Sequence, residues 1–473
     1  MMSAPARPIQ TVEDLRGRHA LVLGLARSGV AASRFLADVG AEVTAYDRRP
    51  AAELADAMAA LDGRSVRLAL GLPEADARAL IGGAELLVTS PSVSVHFPTT
   101  DAWLREALAA AEARGAEIVS EVELFMRLTR SMILGVTGTK GKTTTASLVA
   151  AMLQSAGIPH VLGGNIGTPL IERVTTLAPS DWAVLELSEL QLPTITRGAD
   201  VSVYTNIGED HLDRHGTVSA YRAVKARLAE LSGAQGRIVL NRDDPGCREL
   251  GARLPSSSLR WYGLQAAPDL SAQLNDDGWL VVAGERLLPA ADVPIPGRHL
   301  LADVLGAALG AHLAGATPEA IAAAVRGFRG VAHRLELVAE RDGVRWVNDS
   351  QATIPVAAIA ALEAFDAPIV LITGGKDKGL SYDAFADAIA ARARSVVLLG
   401  ETADELDALI RQRVPVQRAT TMAEAVGIAA AAARAGDVAL LAPAAASFDM
   451  FDDYAARGDA FRAAIAALGR ETS

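Results

Sequence analysis

The stretch Met132-Ile133-Leu134-Gly135-Val136-Thr137-Gly138-Thr139-Lys140-Gly141-Lys142-Thr143-Thr144-Thr145 decides how this chain is read. A short apolar run of strand length leads into a turn carrying two glycines, and the turn opens into a lysine, a run of hydroxyls and a helix. Small residues in such a turn let successive backbone N–H groups converge on phosphate oxygens. The helix N-terminus adds a positive dipole, Lys142 adds a full charge, and a following hydroxyl can ligate magnesium. The pattern predicts a nucleotide triphosphate, ATP, held by Gly138, Thr139, Lys140, Gly141, Lys142, Thr143 and Thr144. The usual spacing places a first glycine five positions before the second. This chain has Val136 there, so Gly138 and Gly141 must shape a turn of altered form.

Outward from this loop the same α/β rhythm runs in both directions. Ala20-Leu21-Val22-Leu23-Gly24 reads as a strand and glycine turn, 28–39 as an amphipathic helix, and Glu42-Val43-Thr44-Ala45-Tyr46-Asp47 as the next strand. Further strands are expected at 86–89 and 117–119, which makes the first 120 or so residues a Rossmann-like unit. Beyond the loop, 182–186, 201–204 and 237–241 are apolar runs short enough to be buried parallel strands. Between 259 and 296 the texture changes to short β-like pieces with Asp276-Asp277-Gly278 and Ala283-Gly284-Glu285 turns, and 300–315 reads as an alanine-rich helix. A third α/β rhythm follows, with strands at 344–348, 369–373, 395–399 and 438–441.

At 473 residues the chain exceeds one ordinary core. Its hydrophobic fraction of 50% includes only 4% aromatics, so the cores should be aliphatic. A net charge of −11 offers no broad basic face for nucleic acid. A single cysteine, Cys247, excludes an intrachain disulfide and a thiolate metal cluster and fits a reducing compartment. Residues 1–17 lack the apolar core of a signal peptide, and no uncharged apolar run is long enough to span a bilayer, so the expectation is a cytoplasmic protein with no membrane partner.

Other strand ends carry candidate chemistry. In Gly24-Leu25-Ala26-Arg27-Ser28-Gly29 the turn is followed by Asp47 at about the spacing of a dinucleotide fingerprint. Ala26 replaces the second glycine and Arg48-Arg49 follow the acid, so a phosphorylated sugar or another nucleotide is as consistent as NAD. Glu186, at the carboxyl end of an expected strand, can hold magnesium near the phosphate loop. The next strand leads to Thr205-Asn206-Ile207-Gly208-Glu209-Asp210-His211-Leu212-Asp213, a cluster of metal or phosphate ligands around His211. Lys225 lies on an expected helix over 218–231, and its spacing alone reads as a solvated lysine. Later, Asn348-Asp349-Ser350, Gly374-Gly375-Lys376-Asp377-Lys378-Gly379 and Ala446-Ser447-Phe448-Asp449 each follow a strand and could form one wall of a site.

Taken in order, these segments resemble one family, the Mur ligases, and within it the branch that joins D-glutamate to UDP-N-acetylmuramoyl-L-alanine. The likeness is carried by Gly138 to Thr144, Gly163-Gly164-Asn165-Ile166-Gly167, Leu185-Glu186-Leu187-Ser188, Asp210-His211-Leu212-Asp213, His333-Arg334, Asn348-Asp349-Ser350, Gly374 to Gly379, and Ala446 to Phe451 with Tyr454, Arg457, Gly458 and Phe461. It covers essentially the whole chain, and the altered spacing of the phosphate loop is itself a family trait.

The resemblance implies an α/β protein of three domains. These are a Rossmann-like N-terminal domain over 1–120 for the uridine substrate, a central P-loop-type ATPase domain with a mainly parallel sheet over 121–330, and a C-terminal Rossmann-like α/β domain over 331–473 for the incoming amino acid. It implies ATP-dependent amide formation through an acyl phosphate in peptidoglycan synthesis, with Lys142, His211 and Lys225 as catalytic residues. Thr143 and Glu186 would hold one Mg2+, and His211 with a carbamylated Lys225 a second. ATP would also meet Arg334 and Asp349. Gly24, Asp47, Ser90, Asn165 and His211 would bind the uridine substrate, while Thr353, Lys378, Ser447, Phe448 and Tyr454 would surround D-glutamate. The partners would be small molecules only, and the chain a monomer. Some positions depart from the family pattern: Gln351 replaces a lysine, Leu300 and Asp303 replace asparagines, Ser92 a glycine and Ala445 a cysteine. The alternatives are another Mur-type or folylpolyglutamate-type ligase, a catalytically inactive nucleotide-binding regulator, and an NAD-dependent oxidoreductase built on the Gly24 turn, which leaves Lys142, Glu186 and His211 unexplained.

Overall fold

The structure is a computed structural model that describes residues 9–468, apart from His96, Pro98, Asp210, His211, Ala234, Ala266 and 295–297; the side chains of Leu212, Asp213, Arg298 and His299 are also outside the description. Its described residues form three sheets. The first holds β1 (His19–Leu23), β2 (Glu42–Asp47), β3 (Val66–Leu70), β4 (Leu86–Thr89) and β5 (Glu117–Ser120) in the order β3-β2-β1-β4-β5, with every neighbouring pair parallel. Central strands of such a sheet are covered on both faces, which is why β1 and β4 read as near-continuous apolar runs. Edge strand β3 escapes that pattern: Arg67 and Leu68 are exposed, so no apolar run announces it. The helix Arg27–Asp38 packs back on the Gly24 turn, and a methyl group at Gly29 would overlap the Gly24 carbonyl oxygen.

The second sheet has nine strands. These are β6 (Met132–Thr137), β7 (His160–Gly164), β8 (Trp182–Glu186), β9 (Val201–Tyr204), β10 (Arg237–Asn241), β11 (Leu259–Gly263), β12 (Leu270–Leu274), β13 (Trp279–Val282) and β14 (Glu285–Pro289). Their order is β14-β13-β12-β11-β10-β9-β6-β8-β7, parallel from β12 to β7 and antiparallel across β12-β13-β14. The short β-like pieces expected after residue 259 are these last strands and β11. Strand β7 carries two glycines and lies at the sheet edge, which hides it from a pattern reading.

The third sheet contains β15 (Glu336–Arg341), β16 (Val344–Asn348), β17 (Ile369–Gly374), β18 (Ala393–Leu399), β19 (Val416–Arg418) and β20 (Val438–Leu441), ordered β15-β16-β20-β17-β18-β19. Only the β15-β16 pair is antiparallel. Contacts divide the chain into two compact units, one of Met1–Asp292 with Leu301–Val325 and one of Val293–Leu300 with Arg326–Ser473. The first two sheets therefore belong to one unit. Among the described residues no helix is long and apolar enough to cross a membrane.

The helix Glu121–Leu128 joins the first two sheets, and all of its residues except Arg127 are buried. Ser120 caps it by accepting the Glu123 N–H. Glu123 accepts hydrogen bonds from the Thr196 hydroxyl at 2.6 Å and the Thr196 N–H at 2.9 Å. Glu121 accepts the Ile171 N–H at 2.9 Å. Two acids that the sequence offers as ordinary first-turn residues are thus buried anchors for loops of the second sheet.

Burial pushes the Glu121 carboxyl up to about 7, with the N–H groups of Ile171 and Leu170 pulling it down and Glu172 adding to the rise. A folded pKa raised above the ordinary 4.5 means that its stabilising contribution is complete below that value and is lost as pH rises through about 7. The loss is at most about 3 kcal/mol. Glu121→Gln keeps an oxygen for the Ile171 N–H and removes the titration. Between pH 5 and 8 the melting temperature of the wild type should therefore fall by a few degrees more than that of the variant. Thermal unfolding across that range checks this, and parallel slopes would contradict it.

Candidate active site

Strands β8, β6 and β9 are consecutive neighbours, and Val136 pairs with Glu186 across β6 and β8. All three run the same way, so the loops after them emerge side by side at the carboxyl end of the sheet, where α/β proteins bind ligands.

The loop after β6 is gripped by the loop after β9. Asn206 accepts the N–H of Thr139 on its carbonyl at 2.9 Å and the N–H of Lys140 on its side-chain oxygen at 2.9 Å, and its amide donates back to the Lys140 carbonyl at 3.0 Å. The Thr205 hydroxyl donates to the same carbonyl at 2.5 Å. Such close contact leaves no room for side chains: a methyl group at Gly138 would overlap the Thr205 hydroxyl, and one at Gly141 would overlap the Asp303 carboxylate. Gly141 also sits in the left-handed region at φ 83°, as N-cap of the helix Lys142–Ser155. The first intrahelical donor is Thr145, whose N–H meets the Gly141 carbonyl. The N–H groups of Gly141, Lys142, Thr143 and Thr144 precede it, and these are the donors a phosphate would meet. Lys142 Nζ donates to the Thr139 carbonyl at 2.9 Å, folded over the loop it is expected to serve.

Glu186, the last residue of β8, is only 1% exposed. Its Oε1 accepts the Asn165 side-chain amide at 2.9 Å, and the Asn165 N–H meets the Glu186 carbonyl. Its Oε2 is buried with no hydrogen-bond partner among the described residues. A buried carboxylate oxygen left unpaired is costly unless a cation completes it. No three His, Cys, Asp or Glu side chains converge as a metal cluster among the described residues. A site of one carboxylate, the Thr143 hydroxyl and ligand oxygens still suits magnesium, which keeps most of its water and phosphate ligands.

Lys225 is fully buried on the helix Val218–Ser232 rather than solvated. Its Nζ lies 3.4 Å from the Thr137 hydroxyl and 4.0 Å from Glu189 Oε2, and 5.5 Å from the Tyr221 ring centre. The Tyr204 hydroxyl donates to the Lys225 carbonyl and accepts the Ala229 N–H, both at 2.9 Å, so β9 fixes how this helix turn faces the loop. The Tyr221 hydroxyl reaches Thr139 Oγ1 at 3.0 Å. His211 lies outside the described residues. Tyr221 and Glu189 are contributors to which sequence reasoning assigned no role; Asn206 was visible only as part of the ligand-rich stretch after β9, not as the residue that grips the phosphate loop.

Around the first sheet, Asp47 braces the glycine turn. It accepts the Leu25 N–H at 2.8 Å and a fork from Arg49 at 3.0 and 2.8 Å. Burial works to raise its carboxyl, but these donors outweigh it and hold the group at about 2. Ser90 is exposed, its Oγ 3.1 Å from that of Ser92. A cavity of about 740 Å³ is lined by Leu25, Arg27 and Arg34 on one side and Leu162, Thr168 and Arg173 on another; Asp47, Ser90 and Asn165 do not line it. Asn165 is instead brought to Glu186.

In the second unit, the carboxyl ends of neighbouring strands β16, β20 and β17 repeat the arrangement. Asp349 is buried and accepts the Leu335 N–H at 3.0 Å. Burial raises its carboxyl to about 6 against the pull of that N–H and of the Arg334 charge. Ser447 is buried, Lys378 is exposed, Thr353 is partly buried, and Phe448 and Tyr454 are 73% and 39% exposed.

A parallel α/β sheet with a gripped phosphate loop and an adjacent buried carboxylate defines a nucleotide-dependent enzyme of the P-loop type. Comparison makes the class specific. Residues 136–311 match the Mur ligase middle domain and 333–445 the Mur ligase glutamate ligase domain. The UDP-N-acetylmuramoylalanine–D-glutamate ligase of Solibacter usitatus is 41% identical over 96% of this chain and 99% of its own, and that of Symbiobacterium thermophilum is 37% identical over 95% and 98%. This chain belongs to the Mur ligase family. The solved UDP-N-acetylmuramate-alanine ligase of Thermotoga maritima shares the fold with a TM-score of 0.56 at 16% identity, over 95% of this chain and 100% of its own.

Glu186→Gln tests the carboxylate directly. Gln keeps an oxygen for the Asn165 amide, so the ligand-free protein should still fold with that contact intact. The same change should abolish the additional thermal stabilisation that Mg2+ gives in the presence of ATP. Melting curves with ATP plus or minus Mg2+ decide it; an unaltered Mg2+ response would remove Glu186 from the site.

Proposed function

We propose that this chain is an ATP-dependent ligase that adds D-glutamate to UDP-N-acetylmuramoyl-L-alanine in cytoplasmic peptidoglycan synthesis, acting as a monomer on small-molecule substrates. The observation that carries the reading is the unpaired buried carboxylate of Glu186 beside a phosphate loop, in a chain alike to ligases of that name over nearly their whole length. We assign 1–120 to the uridine substrate, 121–330 to ATP and 331–473 to the incoming amino acid.

The reaction brings two anions together. The L-alanine carboxylate attacks the γ-phosphorus of ATP, giving an acyl phosphate and ADP; the D-glutamate amine then attacks the acyl carbon and phosphate leaves. Lys142, released from the Thr139 carbonyl, neutralises and orients the phosphates, while the helix N-terminus at Gly141 to Thr144 receives their charge. Thr143 and Glu186 would hold a magnesium ion, which supplies charge neutralisation when bound. His211 and a carbamylated Lys225 are proposed as holders of a second ion. Arg334 and Asp349 are proposed as further ATP contacts, and Gly24, Asp47, Ser90, Asn165 and His211 as contacts of the uridine substrate, with Asp47 acting by bracing its turn. Thr353, Lys378, Ser447, Phe448 and Tyr454 would surround D-glutamate, Lys378 opposing a carboxylate.

Phosphate release with ATP and UDP-N-acetylmuramoyl-L-alanine, measured against a panel of D- and L-amino acids, should depend on D-glutamate alone. Release that is indifferent to D-glutamate overturns the substrate assignment. Lys225→Ala should lose at least about 100-fold in kcat, and bicarbonate with a short carboxylate should restore part of it. Full activity without rescue refutes the carbamate.

A further inference from the structure

The third sheet contains a buried cation that the reaction above leaves unused. Arg457 lies in the first turn of the helix Tyr454–Ala467 and is only 2% exposed. Its Nε donates to Ser350 Oγ at 3.0 Å and its Nη2 to the Ser350 carbonyl at 2.9 Å. Its Nη1 donates to the carbonyls of Ala446 at 2.9 Å and Ala445 at 3.1 Å. Ser350 Oγ in turn donates to the Tyr454 carbonyl at 2.7 Å, which ties the fork back to its own helix. Nη1 also lies 3.0 Å from where a side-chain carbon on Gly375 would sit. Lys376 and Ala446 exchange both backbone hydrogen bonds, at 2.9 and 3.1 Å. One guanidinium thus bonds the loops after β16 and β20, and the Lys376–Ala446 backbone pair ties the loop after β17 to the second of them; these three loops carry Thr353, Ser447 and Lys378.

Every one of these acceptors is neutral; among the described residues no carboxylate accepts a hydrogen bond from Arg457. Burial lowers the group only to about 10, with Asp449 opposing the fall, so it stays charged at neutral pH. A buried full charge without a bonded counter-ion is unfavourable in isolation. A planar fork can hold several carbonyl-bearing loops in one fixed geometry, and a lysine or a neutral amide cannot. The field of a cation that no carboxylate hydrogen-bonds, with only Asp449 nearby to offset it, also reaches a ligand that lies over those loops.

We propose that Arg457 is the positioning residue of the amino-acid site: it sets the spacing of the three loops and lends the positive potential that favours an acidic amino acid over a neutral one. It acts through Ser350, Ala445 and Ala446 and does not touch the substrate. The inference rests on D-glutamate being the incoming amino acid.

The test uses the full-length enzyme and two variants, Arg457→Lys, which keeps the charge and loses the fork, and Arg457→Met, which loses both. With ATP and the nucleotide substrate saturating, KM for D-glutamate should rise about tenfold in the first and about 100-fold in the second. KM for ATP and for UDP-N-acetylmuramoyl-L-alanine should stay within about twofold. Single-turnover ADP formation without D-glutamate should be unchanged, because the first half-reaction does not use this site. Circular dichroism and thermal unfolding report whether each variant folds. An unaltered KM for D-glutamate, an equal rise for all three substrates, or loss of folding in both variants overturns the proposal. If wild-type phosphate release is itself independent of D-glutamate, it is the underlying substrate reading that fails.

Discussion

Three neighbouring strands running the same way, β8, β6 and β9, set the conditions for everything else in the first unit. Parallel strands in one sheet are joined by crossovers that return the chain to the same end, so each strand delivers its following loop to the same edge. Here that edge receives the phosphate loop, the Glu186 carboxylate and the Thr205-Asn206 grip. The grip has consequences for its neighbours. Asn206 consumes two backbone donors of the loop, and the Thr205 hydroxyl leaves room only for glycine at Gly138, so the donors that remain are those of the helix N-terminus. On the other side of β9, the Tyr204 hydroxyl takes both ends of the Lys225–Ala229 helical pair. That contact fixes the rotation of the helix Val218–Ser232, and the rotation turns Lys225 inward beneath Thr137.

Buried charge is the common element of these sites, and it is distributed with a clear logic. Where the partner is part of the protein, the charge is satisfied: Glu123 by Thr196 and Arg127, and Asp47 by Leu25 and Arg49. Where a ligand is expected, satisfaction is incomplete: Glu186 keeps one unpaired oxygen, and Arg457 meets only neutral acceptors. A protein interior tolerates such groups poorly. Both groups lie at the carboxyl ends of strands, in two different sheets.

Much of the architecture was legible because central parallel strands need apolar residues on both faces. β1, β6, β8, β17 and β20 each present a run of that kind, and their ends could be read within a residue or two. Edge strands were not legible: β3 exposes Arg67 and Leu68, β7 ends in two glycines, and β19 is three residues with polar exposure. In the candidate site, the sequence places Lys142 at a helix start and Glu186 at a strand end, and the structure has both there. Lys225 was not legible, because helical spacing cannot say which face a neighbouring strand will cover. Glu121 reads as an acid complementing a helix dipole, and only the packing of the Ile171–Arg173 turn against it makes it a buried anchor. Arg457 belonged to a motif with no role, because its four acceptors come from loops about 11 and 107 residues away.

The valine that replaces the first glycine of the usual phosphate loop follows from the same constraint. Val136 is the fifth residue of β6, fully buried and paired with Glu186 on one side and Val203 on the other. At that point the chain is still strand, and a glycine there would remove apolar surface from the middle of the sheet. The turn can begin only at Gly138, which leaves three residues before the helix N-cap at Gly141. So short a loop cannot wrap a triphosphate by itself. It relies on Asn206 to hold its outer residues and on the next helices for side chains, and it is therefore a loop whose geometry is set by β9 as much as by its own sequence. Sheet order places Glu186, at the end of β8, beside β6, whose loop leads into the helix N-terminus. A reaction that must hold two anions and a cation in line needs that proximity more than it needs a deep phosphate cradle.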